Sequence, residues 1–171
     1  MIEPKGFTLM KVHRLVLDPT TNSPIVILQD PLTGWLLPIW IGLFEAHAIA
    51  MKMEGVPSSR PLTHDLFCNF IQVSHALLER VEVTDMLENT FFARILFVLN
   101  DQEHAIDSRP SDAIALAIRT ATPIFVANQV LAQAKIDPAQ FQEANDDQKS
   151  EGERTDDLMQ KFHTPNKVTV N

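Results

Sequence analysis

Asp107-Ser108-Arg109-Pro110-Ser111-Asp112-Ala113-Ile114-Ala115-Leu116-Ala117-Ile118-Arg119 is the stretch whose reading decides the fold. It begins with turn-forming and ionisable residues and becomes a helix at Pro110. Proline costs little there, because the donor it lacks has no partner in a first helical turn. Asp112 lies in that first turn, where a carboxylate complements the helix dipole. Ala113, Ile114, Ala117 and Ile118 then fall on one side of the helix. That face is made of small residues, so a sheet can approach it closely.

Strands surround this helix. Upstream, Phe91 to Leu99 and Glu103 to Asp107 read as paired strands across the turn Asn100-Asp101. Glu79 to Leu87 precedes them, with Val81 and Val83 alternating. Downstream, Pro123-Ile124-Phe125-Val126 is a short strand, and Gln129 to Lys135 a short helix. The first part of the chain has the same grammar. Phe7 to Leu17, Ile25 to Leu28 and Trp35 to Ile41 form an antiparallel meander, and Pro38 places the third strand at an edge or bulge. Gly42 to Glu54 changes to helical period, and Gly55 and Pro57 stop it. A further helix follows Thr63, its expected cap, with Asp65 in its first turn. Leu66, Phe67, Phe70, Ile71 and Leu77 give it an apolar side, and the Phe and Trp residues read as core.

The order strand, turn, strand, helix runs from Ile25 to Met53 and again from Phe91 to Arg119. Glu45-Ala46 then corresponds to Asp112-Ala113, and Ile49-Ala50 to Leu116-Ala117, which suggests an internal β-β-α duplication. The fold class expected is α+β: an antiparallel or mixed sheet of short strands with about four helices. The domain should occupy residues 1–136. Residues 137–171 should be an acidic, solvated tail, in which Leu158, Met159 and Phe162 can form one helical turn.

Composition limits the function. The 171 residues are 45% hydrophobic and 21% charged, as in an ordinary soluble domain. Cys68 is the only cysteine, so neither an internal disulfide nor a thiolate zinc cluster is expected. No signal peptide or membrane span of roughly 20 apolar residues is evident, which points to the cytoplasm. Lys and Arg number 14 against 22 acids, for a net charge of −8. No helix has a basic recognition face, so reading of a DNA sequence is not expected.

Three segments bring ionisable residues to helix starts: Ile41 to His47 with Glu45, Arg60 to Asp65, and Asp107 to Ala113. Helix starts offer free backbone donors that suit a phosphate or carboxylate. Hydrolysis of a phosphodiester needs an activated water, charge stabilisation on phosphorus and a leaving-group acid. His64 can act as acid or base near neutral pH. Asp65, Asp107, Asp112 and Glu45 can orient it or bind Mg²⁺ or Mn²⁺. Arg60 and Arg109 can grip the phosphate, with Ser111 beside them. Plainer roles stand next to these. Thr63, Ser108 and Ser111 can be caps, and Arg109 can pair with Asp107 or Asp112.

Together, Leu37-Pro38-Ile39-Trp40-Ile41-Gly42 with Glu45-Ala46, Arg60 to Asp65, and Asp107 to Arg119 closed by Pro123 to Val126 resemble the bifunctional nuclease domain family of bacteria and plants. The chain is identified as a bacterial member over about residues 7–135. Phe91-Phe92-Ala93-Arg94 is similar to a Phe-Tyr-Ala strand of that family, with phenylalanine in place of tyrosine. The resemblance implies an α+β fold, a homodimer and nuclease activity on DNA and RNA, but brings no settled catalytic set. The competing expectation is a non-catalytic dimeric module that regulates or binds an anion.

Overall fold

In a computed structural model, the described residues are 4–18, 20–139 and 141. The elements run β1 (Phe7–Leu17), β2 (Pro24–Gln29), β3 (Leu36–Trp40), α1 (Leu43–Met53), α2 (Thr63–Val73), β4 (Leu77–Leu87), β5 (Thr90–Leu99), β6 (Gln102–Ser108), α3 (Pro110–Thr120), β7 (Ile124–Ala127) and α4 (Asn128–Ala134). Of the expected acidic tail, only residues 137–139 and 141 are described; the expected helical turn at Leu158 lies outside the described residues.

The strands form one mixed sheet in the order β3-β2-β1-β7-β4-β5-β6. Neighbours are antiparallel except β4 and β7. The order reads outward from β7 in both directions as a three-stranded meander, and each meander is followed by a helix, α1 or α3. The repeat seen in the sequence is thus a repeat of the fold. Pro38 sits on edge strand β3, where its missing donor breaks no ladder.

One face of the sheet carries the helices. Val26, Leu28, Leu37 and Ile39 meet Ile49 and Ala50 of α1, while Val81, Val83, Ala93 and Ile95 meet Ala113, Ile114 and Ala117 of α3. Small side chains let α3 lie close to β4 and β5 while touching α1 and α2. On the opposite face, Ile25, Ile27 and Leu36 pack with Ile136 and Phe141.

Helix α2 departs from expectation. It buries none of its residues, and Leu66, Phe70 and Val73 are 63%, 65% and 77% exposed. Helical period identifies the apolar stripe but not what lies against it. Trp40 and Phe44, read as core, are also exposed. Thr63 is not the cap of α2. Leu62 holds that position in extended conformation, and the Asp65 carboxylate accepts its N–H at 3.0 Å.

Candidate functional site

Helices α1, α2 and α3 start beside one another, and each has an acid at its third position: Glu45, Asp65 and Asp112. Arg109 is the residue before α3. Its Nη2 donates to Glu45 Oε1 at 2.8 Å, and its Nε to Asp112 Oδ2 at 2.7 Å. Asp112 Oδ1 in turn meets His64 Nε2 at 3.0 Å. Glu45, Arg109, Asp112 and His64 therefore form an unbroken polar chain across three helix starts. The duplication explains its symmetry, because Glu45 and Asp112 occupy equivalent positions and share one guanidinium.

Burial differs along the chain. The side chains of His64 and Glu45 are 13% and 17% exposed, whereas that of Arg109 is 65% exposed. The Arg109 guanidinium faces solvent, while Glu45 and His64 are held inside. Burial pushes the Asp112 carboxyl up, but hydrogen bonds from Arg109 and His64 outweigh it and hold its pKa below the usual carboxylate value. An ionised carboxylate only accepts hydrogen bonds, so His64 Nε2 donates to Asp112. The bond to Asp112, and after it the bond to Glu45, raise the Arg109 pKa.

Gly42, at the start of α1, is required for this arrangement. A Cβ there would stand 2.1 Å from Glu45 Oε2. The carboxylate folds back across the glycine. Gly42→Ala should displace that flexible carboxylate and break its contact with Arg109, which a crystal structure of the variant would show. The melting change should stay within about 1 kcal/mol, as for exposed ion pairs.

Asp65 belongs to a second cluster. Arg119, 6% exposed, donates from Nε to Asp65 Oδ1 at 2.7 Å. Its Nη1 reaches the Ala115 carbonyl at 2.9 Å, and its Nη2 the Ala48 carbonyl at 3.0 Å. One guanidinium thus ties α1, α2 and α3 together behind the exposed chain. Burial works against the Asp65 carboxylate, but Arg119 and the Leu62 N–H keep its pKa lowered. The sequence reading missed this role of Arg119, and its position in the last turn of α3 was the only available signal.

The remaining expected site residues lie differently. Ser111 is buried at the second position of α3. Neither Ser108 nor Ser111 caps that helix; the Ser108 hydroxyl donates to the Arg109 carbonyl instead. Arg60 is in the exposed loop before α2, where its carbonyl accepts from Ser58, and no side-chain contact joins it to the chain among the described residues. Asp107 is not in the cluster. It pairs with Arg94 across β5 and β6, and strand alternation places it on the sheet face away from the helices. There Glu82, 1% exposed, accepts from Arg80 at 2.7 Å and Arg94 at 2.6 Å.

The carboxylates do not form a ready metal centre. Arg109 occupies the place between Glu45 and Asp112 that a cation would take. Among the described residues, no group of three or more His, Cys, Asp or Glu side chains is arranged to hold an ion. This donor set does not fit a resident metal. No helix of the described residues is long and apolar enough to cross a membrane.

The chain is thus an α+β domain whose adjoining helix starts share an arginine-bridged acid pair. Residues 26–139 match the family described as the bifunctional nuclease domain, and the chain belongs to that family. Among its relatives is Uncharacterized protein Rv1829 of Mycobacterium tuberculosis, 39% identical over 125 residues, which are 73% of this chain and 74% of that protein. Bifunctional nuclease 2 of Arabidopsis thaliana is 31% identical over 114 residues, which are 65% of this chain but 34% of the plant protein. Bifunctional nuclease 1 of the same plant is 30% identical over 118 residues, 67% of this chain and 36% of its own length. The chain thus spans about a third of each plant relative.

Proposed function

We propose that this protein hydrolyses phosphodiester bonds in DNA and RNA in the cytoplasm, at the chain Glu45-Arg109-Asp112-His64. The observation that carries the proposal is the arrangement itself: one exposed guanidinium and one oriented imidazole joined through a single carboxylate. The printed names of the plant relatives point the same way. In this reading Arg109 meets the charge that develops on the phosphoryl oxygens. His64 takes the proton of the attacking water, while Asp112 fixes its tautomer and orientation. Glu45 is a positioning residue that holds Arg109 from the other side.

The test is cleavage of end-labelled DNA and RNA by the purified full chain, with Mg²⁺, with Mn²⁺ and with a chelator. Cleavage of both is expected, with a loss of about 10²-fold or more in His64→Gln. No cleavage under any of these conditions overturns the proposal.

The same reading includes a homodimer formed through α2. Large exposed apolar patches mark contact surfaces, and Leu66, Phe70 and Val73 lie along one side of this helix. Phe67 and Phe70 stack with ring centroids 6.4 Å apart. Light scattering should give twice the chain mass, and Phe70→Glu should give the mass of one chain. A wild-type monomer would contradict the dimer without touching the site.

A further inference from the structure

Arg109 lines an open cavity of about 410 Å³, bordered by the start of α3, the end of β3 and the turn before β5. This is in the size range of small-ligand pockets. Its walls combine Trp40 and Phe91 with Ser111, Asn89 and Thr90.

Two observations indicate what it holds. Ser111 is 5% exposed, lines the cavity, and its hydroxyl has no hydrogen-bond partner among the described residues. The hydroxyl is therefore free to pair with a ligand group seated in the cavity. Trp40 keeps 54% of its surface exposed, yet its indole N–H is fixed to Asp18 Oδ2 at 2.9 Å. A half-exposed ring that is pinned in orientation is a stacking platform rather than a mobile surface residue. Charge decides between the two halves of a nucleotide. Arg109, exposed at one end, is the one charged side chain lining the cavity among the described residues and suits the phosphate. The rest of the lining is aromatic, aliphatic or neutral and hydrogen-bonding, which suits the flat base at Trp40.

We infer that this cavity receives an unpaired nucleobase, stacked on Trp40 and hydrogen-bonded by Ser111, and so selects single-stranded substrate. The inference rests on the proposed nuclease reading and names its substrate class. A base in a duplex is already stacked and paired, and would have to be extruded to enter. With the base seated here, the adjoining phosphate falls at the exposed guanidinium.

The test uses Trp40 fluorescence in a Trp35→Phe background, because the chain has two tryptophans. The probes are a short hydrolysis-resistant phosphorothioate oligo(dA), its duplex with oligo(dT), and ribose 5-phosphate, which lacks a base. The single strand should quench the fluorescence; the duplex and the sugar phosphate should not. By fluorescence anisotropy of a labelled probe, Trp40→Ala should weaken binding about tenfold or more, and Trp40→Phe should retain most of it. Ser111→Ala should weaken it too, with melting curves confirming that each variant is folded. Equal quenching by duplex or by ribose 5-phosphate overturns the inference. So does unchanged binding in folded Trp40→Ala and Ser111→Ala. Hydrolysis that ignores both substitutions and strandedness would remove the base pocket but leave the nuclease. Trp40-dependent binding without cleavage would do the reverse.

Discussion

Arg119→Met should destabilise the protein by about 3 kcal/mol, as expected when one partner of a buried ion pair is removed. At this chain length that is a fall in melting temperature of roughly 10 °C. The guanidinium makes three hydrogen bonds, to Asp65 and to the carbonyls of Ala115 and Ala48. Methionine replaces its packing but none of its donors. Asp65 is 35% exposed and regains some water, which keeps the loss at the lower end of the range. Arg119→Lys retains the charge but not the planar fork, so it should fall between the two. Thermal unfolding followed by circular dichroism measures this, and an unchanged midpoint in Arg119→Met would show that the three helices do not depend on the tie.

The second large effect concerns chemistry. Arg109→Ala should reduce cleavage by about 10² to 10³-fold, the range for losing one preorganised donor to developing charge. It should leave melting nearly unchanged, because the residue is 65% exposed and surface ion pairs contribute about 0–1 kcal/mol. Arg109→Lys should recover only part of the activity. An ammonium cannot span Glu45 and Asp112 as the fork does. Initial rates on a labelled oligonucleotide check the prediction. Full activity in Arg109→Ala would remove the guanidinium from the reaction.

These contrasting expectations for two arginines show what a sequence can and cannot carry. The strands and α3 were legible because alternation at Val81 and Val83, and Pro110 followed by an acid, are local signals. Much of the site was legible through the repeat, which aligned Glu45 with Asp112 before any contact was known. Asp107 was misplaced by proximity. Two residues from Arg109, it is still on a strand, and the period of two turns it to the other face of the sheet. Arg119 and Glu82 were missed for another reason. Their partners come from other elements, Ala48 and Asp65 for one and the neighbouring strand's Arg94 for the other. A charged residue in a periodic pattern reads as solvated until such partners are known. The α2 stripe failed in the opposite sense, since a face meant for another surface has the same spacing as a face meant for the core.

The central claim is that the Glu45-Arg109-Asp112-His64 chain is there for hydrolysis and not merely to hold three helix starts together. Asp112→Asn tests it most directly, with melting and cleavage measured on the same preparation. Asparagine keeps the shape, but its single acceptor oxygen cannot receive both Arg109 and His64 as the two carboxylate oxygens do. The account predicts a midpoint lowered by no more than a few degrees and cleavage reduced about 10²-fold or more. A collapse in melting, with the folded fraction cleaving at the wild-type rate, would contradict it.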